Sequence, residues 1–159
     1  MIQYHPVVAE ITKLLAQHNV LFKTFEHAPV STSEEAARLR PEYSLHQGAK
    51  ALIVKTKPKG FLMLVVPGDM RFNESKVRLA LDIREIRFAK ESEVSEITGG
   101  VQVGGVPPFG NLFNLPVYVD KSVLENEEII FNAGDRAYSI AMKSADYKNI
   151  VNPNVVEIV

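Results

Sequence analysis

The chain contains no cysteine and no tryptophan. Without cysteine there can be no disulfide, zinc ribbon, Cys-ligated iron–sulfur cluster or thiol nucleophile. An excess of charge of one sign is also missing: 18 Lys+Arg stand against 19 Asp+Glu, a net charge of −1, with a pI near 6.4. That balance argues against a basic coat for wrapping nucleic acid, but not against a protein that touches only one end of one. Long hydrophobic runs are absent. The longest, Phe61 to Pro67, falls far short of the ~20 apolar residues of a spanning helix, so no membrane partner is expected. The start, Met1-Ile2-Gln3-Tyr4-His5-Pro6, has no basic segment ahead of an apolar one, and a cytoplasmic protein is expected. Low-complexity segments, linkers and internal repeats are lacking too.

What is present fits one domain over residues 1–159, with 46% hydrophobic residues; a domain of that size buries roughly 70% of its unfolded surface. Val7, Val8, Ile11, Leu14 and Leu15 have helical spacing, and His18 continues the stripe as a helix-end residue at the core margin. Residues 20–26 read as a strand, followed by a loop at His27-Ala28-Pro29-Val30-Ser31. Thr32 and Glu35 form a capping box for a helix that must stop near Pro41. Ala49–Lys57 and Phe61–Val66 read as strands joined by hairpin chemistry at Lys57-Pro58-Lys59-Gly60. Asn73 caps a helix carrying Val77, Ala80 and Leu81. A strand near Ile86–Phe88 leads to a helix over 90–98 that ends at Gly99-Gly100. Strands follow near 116–119, 128–131 and 137–142; Ser144 caps a last helix, and Val155–Ile158 closes the chain. Many strands with helices at irregular intervals make an α+β pattern, not a βαβ repeat.

Several residue groups could carry chemistry. Strand alternation puts Lys50 in phase with Leu52, Val54 and Thr56, away from Lys55 and Lys57. Lys50 is then either a snorkelling strand-end lysine or a cation aimed into a cleft, suited to a phosphate or a polarised carbonyl. Lys55, Lys57 and Lys59 cluster at the hairpin turn as ordinary edge protection. In Gly104-Gly105-Val106-Pro107-Pro108-Phe109-Gly110, the glycines permit close backbone approach and the prolines stiffen the second half of the segment. This loop is either a tight structural turn or a set of amides aimed at a ligand, as in an oxyanion site. It is neither a Walker A motif nor a dinucleotide fingerprint. Asn132-Ala133-Gly134-Asp135-Arg136 reads as a hairpin loop. Asp69 and Arg71 could pair with each other. His5, His18, His27 and His46 lack metal-ligand spacing, so no metal and no cofactor is expected; His27 stands where a strand gives way to a capping loop, a common place for a site. With no cysteine and no G-x-S-x-G elbow, hydrolysis by an oriented water fits better than covalent catalysis.

His27 through Ala37, Ala49-Lys50-Ala51-Leu52-Ile53-Val54, Leu64 through Asp69, Gly104 through Pro108, and Phe131 through Arg136 followed by Ser139-Ile140 stand in an order that resembles the YbaK/prolyl-tRNA-synthetase-associated editing domains along nearly the whole chain. The resemblance implies an α+β domain with a mixed, barrel-like sheet surrounded by helices. It implies an aminoacyl-tRNA deacylase that acts in trans on the ester at the acceptor end of a mischarged tRNA, with an aminoacyl-tRNA synthetase as a further partner. By resemblance, Lys50 anchors the terminal nucleotide, and Gly104, Gly105, Val106 and Pro108 form the loop that holds the ester carbonyl and its water. The terminal 2′-hydroxyl of the tRNA helps to activate that water. Phe25, His27, Asn132, Gly134, Asp135 and Ser139 fall on the substrate-binding side. Ser139 occupies a position where relatives often carry His or Asp, so the amino acid stays open. So do two other readings: a catalytically silent module that binds a charged tRNA end or an aminoacyl-adenosine, and a nucleotide- or oligonucleotide-binding protein without editing.

Overall fold

A computed structural model describes residues 3–29 and 32–159; Val30 and Ser31 of the loop after His27 lie outside the described residues. The central hairpin is β2 (Ala49–Lys57) and β3 (Gly60–Pro67), paired from Ala49↔Pro67 to Thr56↔Gly60. Its turn closes where the sequence predicts, with Gly60 in the left-handed region at φ +74°, where a side chain would be strained. The strand β4 (Glu85–Phe88) pairs antiparallel with the other side of β2, so β2 is central and not an edge. The hairpin lysines take ordinary roles there: Lys57 pairs with Glu85 at 3.3 Å, and Lys55 lies over the Phe61 ring at 5.2 Å.

On the far side of β3, β5 (Val117–Asp120) and then β8 (Asn154–Val156) add in parallel, giving a five-stranded mixed sheet ordered β4-β2-β3-β5-β8. A smaller antiparallel sheet has the order β1-β7-β6, from β1 (Phe22–Glu26), β6 (Glu128–Asp135) and β7 (Tyr138–Lys143). A parallel bridge between Gly48 and Ile130 links the two sheets. The main core joins them: Ala49, Ile53, Met63 and Val65 from the large sheet meet Ile129, Phe131, Ile140 and Met142 from the small one, and Val7, Ile11 and Leu15 of α1 (Pro6–Gln17) pack in. The other face of the hairpin, Val54, Leu62, Leu64 and Val66, is covered by Val77 and Leu81 of α3 (Glu74–Leu81). Burial on both faces explains why Phe61–Val66 is continuously apolar instead of alternating.

The caps follow local chemistry. Thr32 accepts from the Glu35 amide at the head of α2 (Ser33–Leu39), Asn73 accepts from the Lys76 amide at the head of α3, and Gly99, at φ +72°, ends α4 (Glu91–Thr98). His18 is the C-cap of α1 but is exposed, not at the core margin. Two expectations are corrected. Ser144 is the first residue of α6 (Ser144–Val151) and Lys143 is its N-cap; the buried Ser144 hydroxyl donates instead to the Asn126 carbonyl, across a tertiary contact. The run from Asn132 to Asp135 is not a loop but the end of β6, made irregular by a register shift between those two residues. Among the described residues, one α-helix goes unread in the sequence: α5 (Lys121–Glu125), capped by Asp120. Among the described residues, no helix is long and apolar enough to cross a membrane.

Candidate active site

A cavity of about 340 Å³ opens between α2, the start of β2, the turn after β3, the 103–106 loop and β6. Lys50, Arg40, Arg71 and Glu34 are the charged groups in its wall. Lys50 is half-buried, and its Nζ donates to the Met70 carbonyl at 3.0 Å. Burial pushes its pKa down, Glu34 and Asp69 oppose that, and Arg71 reinforces it. The Gly68 amide donates to the Gly48 carbonyl at 2.8 Å, which lays the 67–71 turn along the mouth of β2. An added Cβ at Gly48 would make a tight contact, 3.1 Å from the Leu45 carbonyl oxygen. Asp69 does not pair with Arg71; its carboxylate meets His46 Nδ1 at 2.8 Å.

The Gly/Pro loop is tied down on several sides. Gly104 has φ +91°, and its carbonyl accepts from Asn132 Nδ2 at 2.6 Å. The Gly105 amide donates to the Gln102 carbonyl at 2.9 Å, and its own carbonyl accepts from the Gly134 amide at 2.9 Å. The Pro108 carbonyl accepts from the Tyr147 hydroxyl at 2.6 Å. Burial pushes the Tyr147 phenol far up, so it stays a donor. Phe109 is fully buried and meets Phe131 and Tyr147 edge-on, with ring centroids 5.4 and 5.5 Å away. The glycines and prolines thus make a fixed wall. The Gly105 amide is committed to Gln102, while Gly104 and Val106, on either side of it, line the cavity.

Behind the wall lies a polar cluster. Ser139 is 0% exposed; Arg40 Nη1 donates to its Oγ at 2.8 Å, Oγ donates to Asn132 Oδ1 at 3.2 Å, and His27 Nε2 lies 2.7 Å away. Arg40 is 6% exposed. Its Nε donates to the Ala36 carbonyl at 3.2 Å, and burial lowers its pKa to about 10 against the opposing pull of Glu42.

Of the site residues read from the sequence, Lys50, Gly104, Val106 and Asn132 line the cavity together. Gly105 and Pro108 belong to the same loop behind its lining. His27 and Ser139 reach the cavity through Asn132. Phe25 pairs with Ser139 in register and meets the Tyr43 ring edge-on at 5.9 Å. Gly134 and Asp135 stand apart, at a second cavity of about 440 Å³ with His5 and Arg136. There Asp135 accepts from the amides of His5 and Ala137 at 3.3 and 2.9 Å. Sequence reasoning misses Arg40, Arg71, Glu34 and Tyr43 in the wall, because an arginine at a helix end or in a turn looks like any solvated one. Among the described residues, no group of three or more His, Asp or Glu side chains could hold a metal ion.

The family model described as the aminoacyl-tRNA editing domain matches residues 27–150. The chain is 33% identical to the multifunctional Ser/Thr-tRNA deacylase ProXp-y of Escherichia coli (strain K12), over 147 residues that cover 90% of this chain and 87% of that protein. It is also 33% identical to a proline–tRNA ligase of Sulfurihydrogenibium sp. over 89 residues, 56% of this chain but only 15% of that enzyme. A crystal structure described as a candidate trans-editing enzyme for prolyl tRNA synthetase superposes with a TM-score of 0.82, covering 98% of each chain. At 24% identity that likeness is one of fold.

Proposed function

The chain belongs to the aminoacyl-tRNA editing domain family, and on that footing we propose that it is a trans-acting deacylase. It hydrolyses the ester between a wrongly attached amino acid and the acceptor end of a tRNA, in the cytoplasm, as one domain over residues 1–159. The observation that carries this reading is that Lys50 and Gly104, far apart in the chain, border one cavity.

The chemistry asks for little from the protein. An aminoacyl ester is already activated, so water can attack its carbonyl carbon directly. The new carbon–oxygen bond forms, the bond to the ribose oxygen breaks, and free amino acid and tRNA leave. The terminal 2′-hydroxyl of the tRNA assists the water. Amides of the Gly104–Val106 segment stabilise the charge that develops on the carbonyl oxygen, an effect worth about 10²–10³ in rate per donor. Lys50, with Arg71 at the mouth, holds the phosphate of the terminal nucleotide. No covalent enzyme intermediate is needed.

The esters of serine and threonine come first in a test, because the Escherichia coli relative is named for them. The experiment is a panel of tRNAs charged with different amino acids, incubated with the protein, with release of each amino acid followed. Release of one or a few mischarged residues supports the reading and names the substrate. Retained binding of charged tRNA with no release across the panel replaces it with a catalytically silent binding module. A synthetase partner belongs to the same proposal, and adding the cognate synthetase to the panel tests whether release is faster with it.

A further inference from the structure

The hydroxyl of Ser139 is the junction of a chain of hydrogen bonds that ends on the catalytic loop. A serine hydroxyl has one proton to give and can accept twice, a guanidinium can only donate, and an amide oxygen can only accept. Arg40 Nη1, 2.8 Å from Oγ, therefore occupies an accepting position of Ser139. The Gly104 carbonyl, which can only accept, fixes which end of the Asn132 amide carries hydrogen, and Nδ2 donates to it at 2.6 Å. Asn132 Oδ1, 3.2 Å from Ser139 Oγ, then accepts the Ser139 proton when His27 carries hydrogen on both ring nitrogens, since His27 Nδ1 already donates to the Ala28 carbonyl at 2.9 Å. In that state every bond runs one way, Arg40 to Ser139 to Asn132 to Gly104. His27 Nε2, 2.7 Å from Oγ, completes the set when it carries hydrogen, by donating to the second accepting position. When Nε2 is bare it competes with Asn132 for the Ser139 proton.

We infer that Arg40 is a positioning residue for the Gly104 loop, acting through Ser139 and Asn132. It sits 99 residues before Ser139 in the chain, is almost wholly buried, and pairs with no carboxylate among the described residues at salt-bridge distance. A buried charge without such a partner is costly, so its persistence here needs a use, and the charge-assisted bond to Ser139 is that use. Turning the Asn132 amide over would set its oxygen against the Gly104 carbonyl oxygen and remove the tie that holds Gly104 itself. The effect on catalysis rests on the deacylase reading above; the hydrogen-bond chain does not.

The test combines activity and spectroscopy on the full chain. Arg40→Met, Ser139→Ala and Asn132→Ala, with the Arg40→Met/Asn132→Ala double variant, are measured for single-turnover deacylation, KM and thermal unfolding. The Asn132 side-chain amide signal is followed by NMR in the substrate-free protein. Each single variant is expected to slow the chemical step about 10- to 100-fold, the size of effect caused by loss of positioning. KM stays within about twofold, and the double variant is no slower than Asn132→Ala. Arg40→Lys, which keeps a charged donor, recovers part of the rate. The Asn132 amide signal moves in Arg40→Met, although no hydrogen bond joins those two residues directly. Losses that multiply in the double variant, or variants that match the wild-type rate, overturn the inference. If Arg40→Met fails to fold, the comparison of Arg40→Lys with Ser139→Ala decides in the same way. If the wild-type protein releases no amino acid at all, the deacylase reading falls, and the amide signal alone judges the relay: movement in an Arg40 variant keeps it, and no movement removes it.

Discussion

The Nζ of Lys50 and the carbonyl oxygen of Met70 are 3.0 Å apart, so the lysine in the cavity wall is tethered to the turn after β3. The tether uses one of three ammonium donors and leaves the others for a ligand. It also connects the charge of the site to a segment already held by the Gly68–Gly48 bond.

Lys50→Ala should remove that charge without unfolding the protein, because the ammonium is half-buried and burial already disfavours its charged form. The expected loss in single-turnover deacylation is about 10²–10³, comparable to the removal of one donor from an oxyanion site. A folded variant, checked by circular dichroism, that deacylates at the wild-type rate would rule Lys50 out.

Binding of tRNA should depend only weakly on salt. The log of affinity falls by about 0.7–0.9 per decade of salt for each phosphate neutralised, and the cavity mouth offers Lys50 and Arg71. A titration of charged tRNA between low and moderate salt should give a shallow slope, and Arg71→Ala should lower it by about one contact. A steep slope in the wild type would mean that another surface grips the acceptor stem.

Gly134 is expected to tolerate no side chain. Its φ is +108°, and an added Cβ would lie 2.8 Å from Val7 Cγ1 and 2.9 Å from Val7 Cβ. Gly134→Ala should therefore cost about 1–3 kcal/mol of stability from backbone strain, with overpacking against the start of α1 adding to it. Urea denaturation measures the loss, and an unchanged midpoint would contradict the close packing of α1 on β6.

Asp120 gives a pH signature. It is 2% exposed, and burial alone would raise its pKa. The amides of Ile158, Ser122 and Val159, at 2.7, 3.0 and 3.2 Å, with the Ser122 hydroxyl, more than offset that and hold it below 3.8. A depressed folded-state pKa means stability that is present above 3.8 and lost as pH falls through the lowered value. Asp120→Ala should lose about 1–3 kcal/mol at neutral pH, and its deficit against wild type should shrink in acid. Equal deficits at both pH values would show that Asp120 acts by packing and not by charge.

Much of the secondary structure was legible because it rests on neighbours in sequence. Thr32, Asn73 and Gly99 announce helix ends through bonds made within a turn, and the Pro58-Lys59-Gly60 turn announces the hairpin. Phase and composition left Lys50 and the Gly104 loop open between a structural and a binding role, and the fold brings both to one cavity. The α5 helix was not, because it is short and has a single cap in place of a long apolar stripe. Ser144 misled because a serine before a helix looks like a cap whether its hydroxyl turns to the backbone ahead or to a carbonyl across the fold.

By itself, then, the sequence determined most of the strands and helices, the stiffness of the 104–110 segment and the absence of thiol chemistry, since each depends on residue type and on spacing within a few positions. Only the tertiary structure decided that the Gly105 carbonyl is spent on the Gly134 amide, that Gly134 packs against Val7 while Asn132 faces the cavity, and that Arg40 meets Ser139. These contacts depend on the order and register of strands in two sheets. Partners brought together from 99 positions apart leave no periodic trace along the chain.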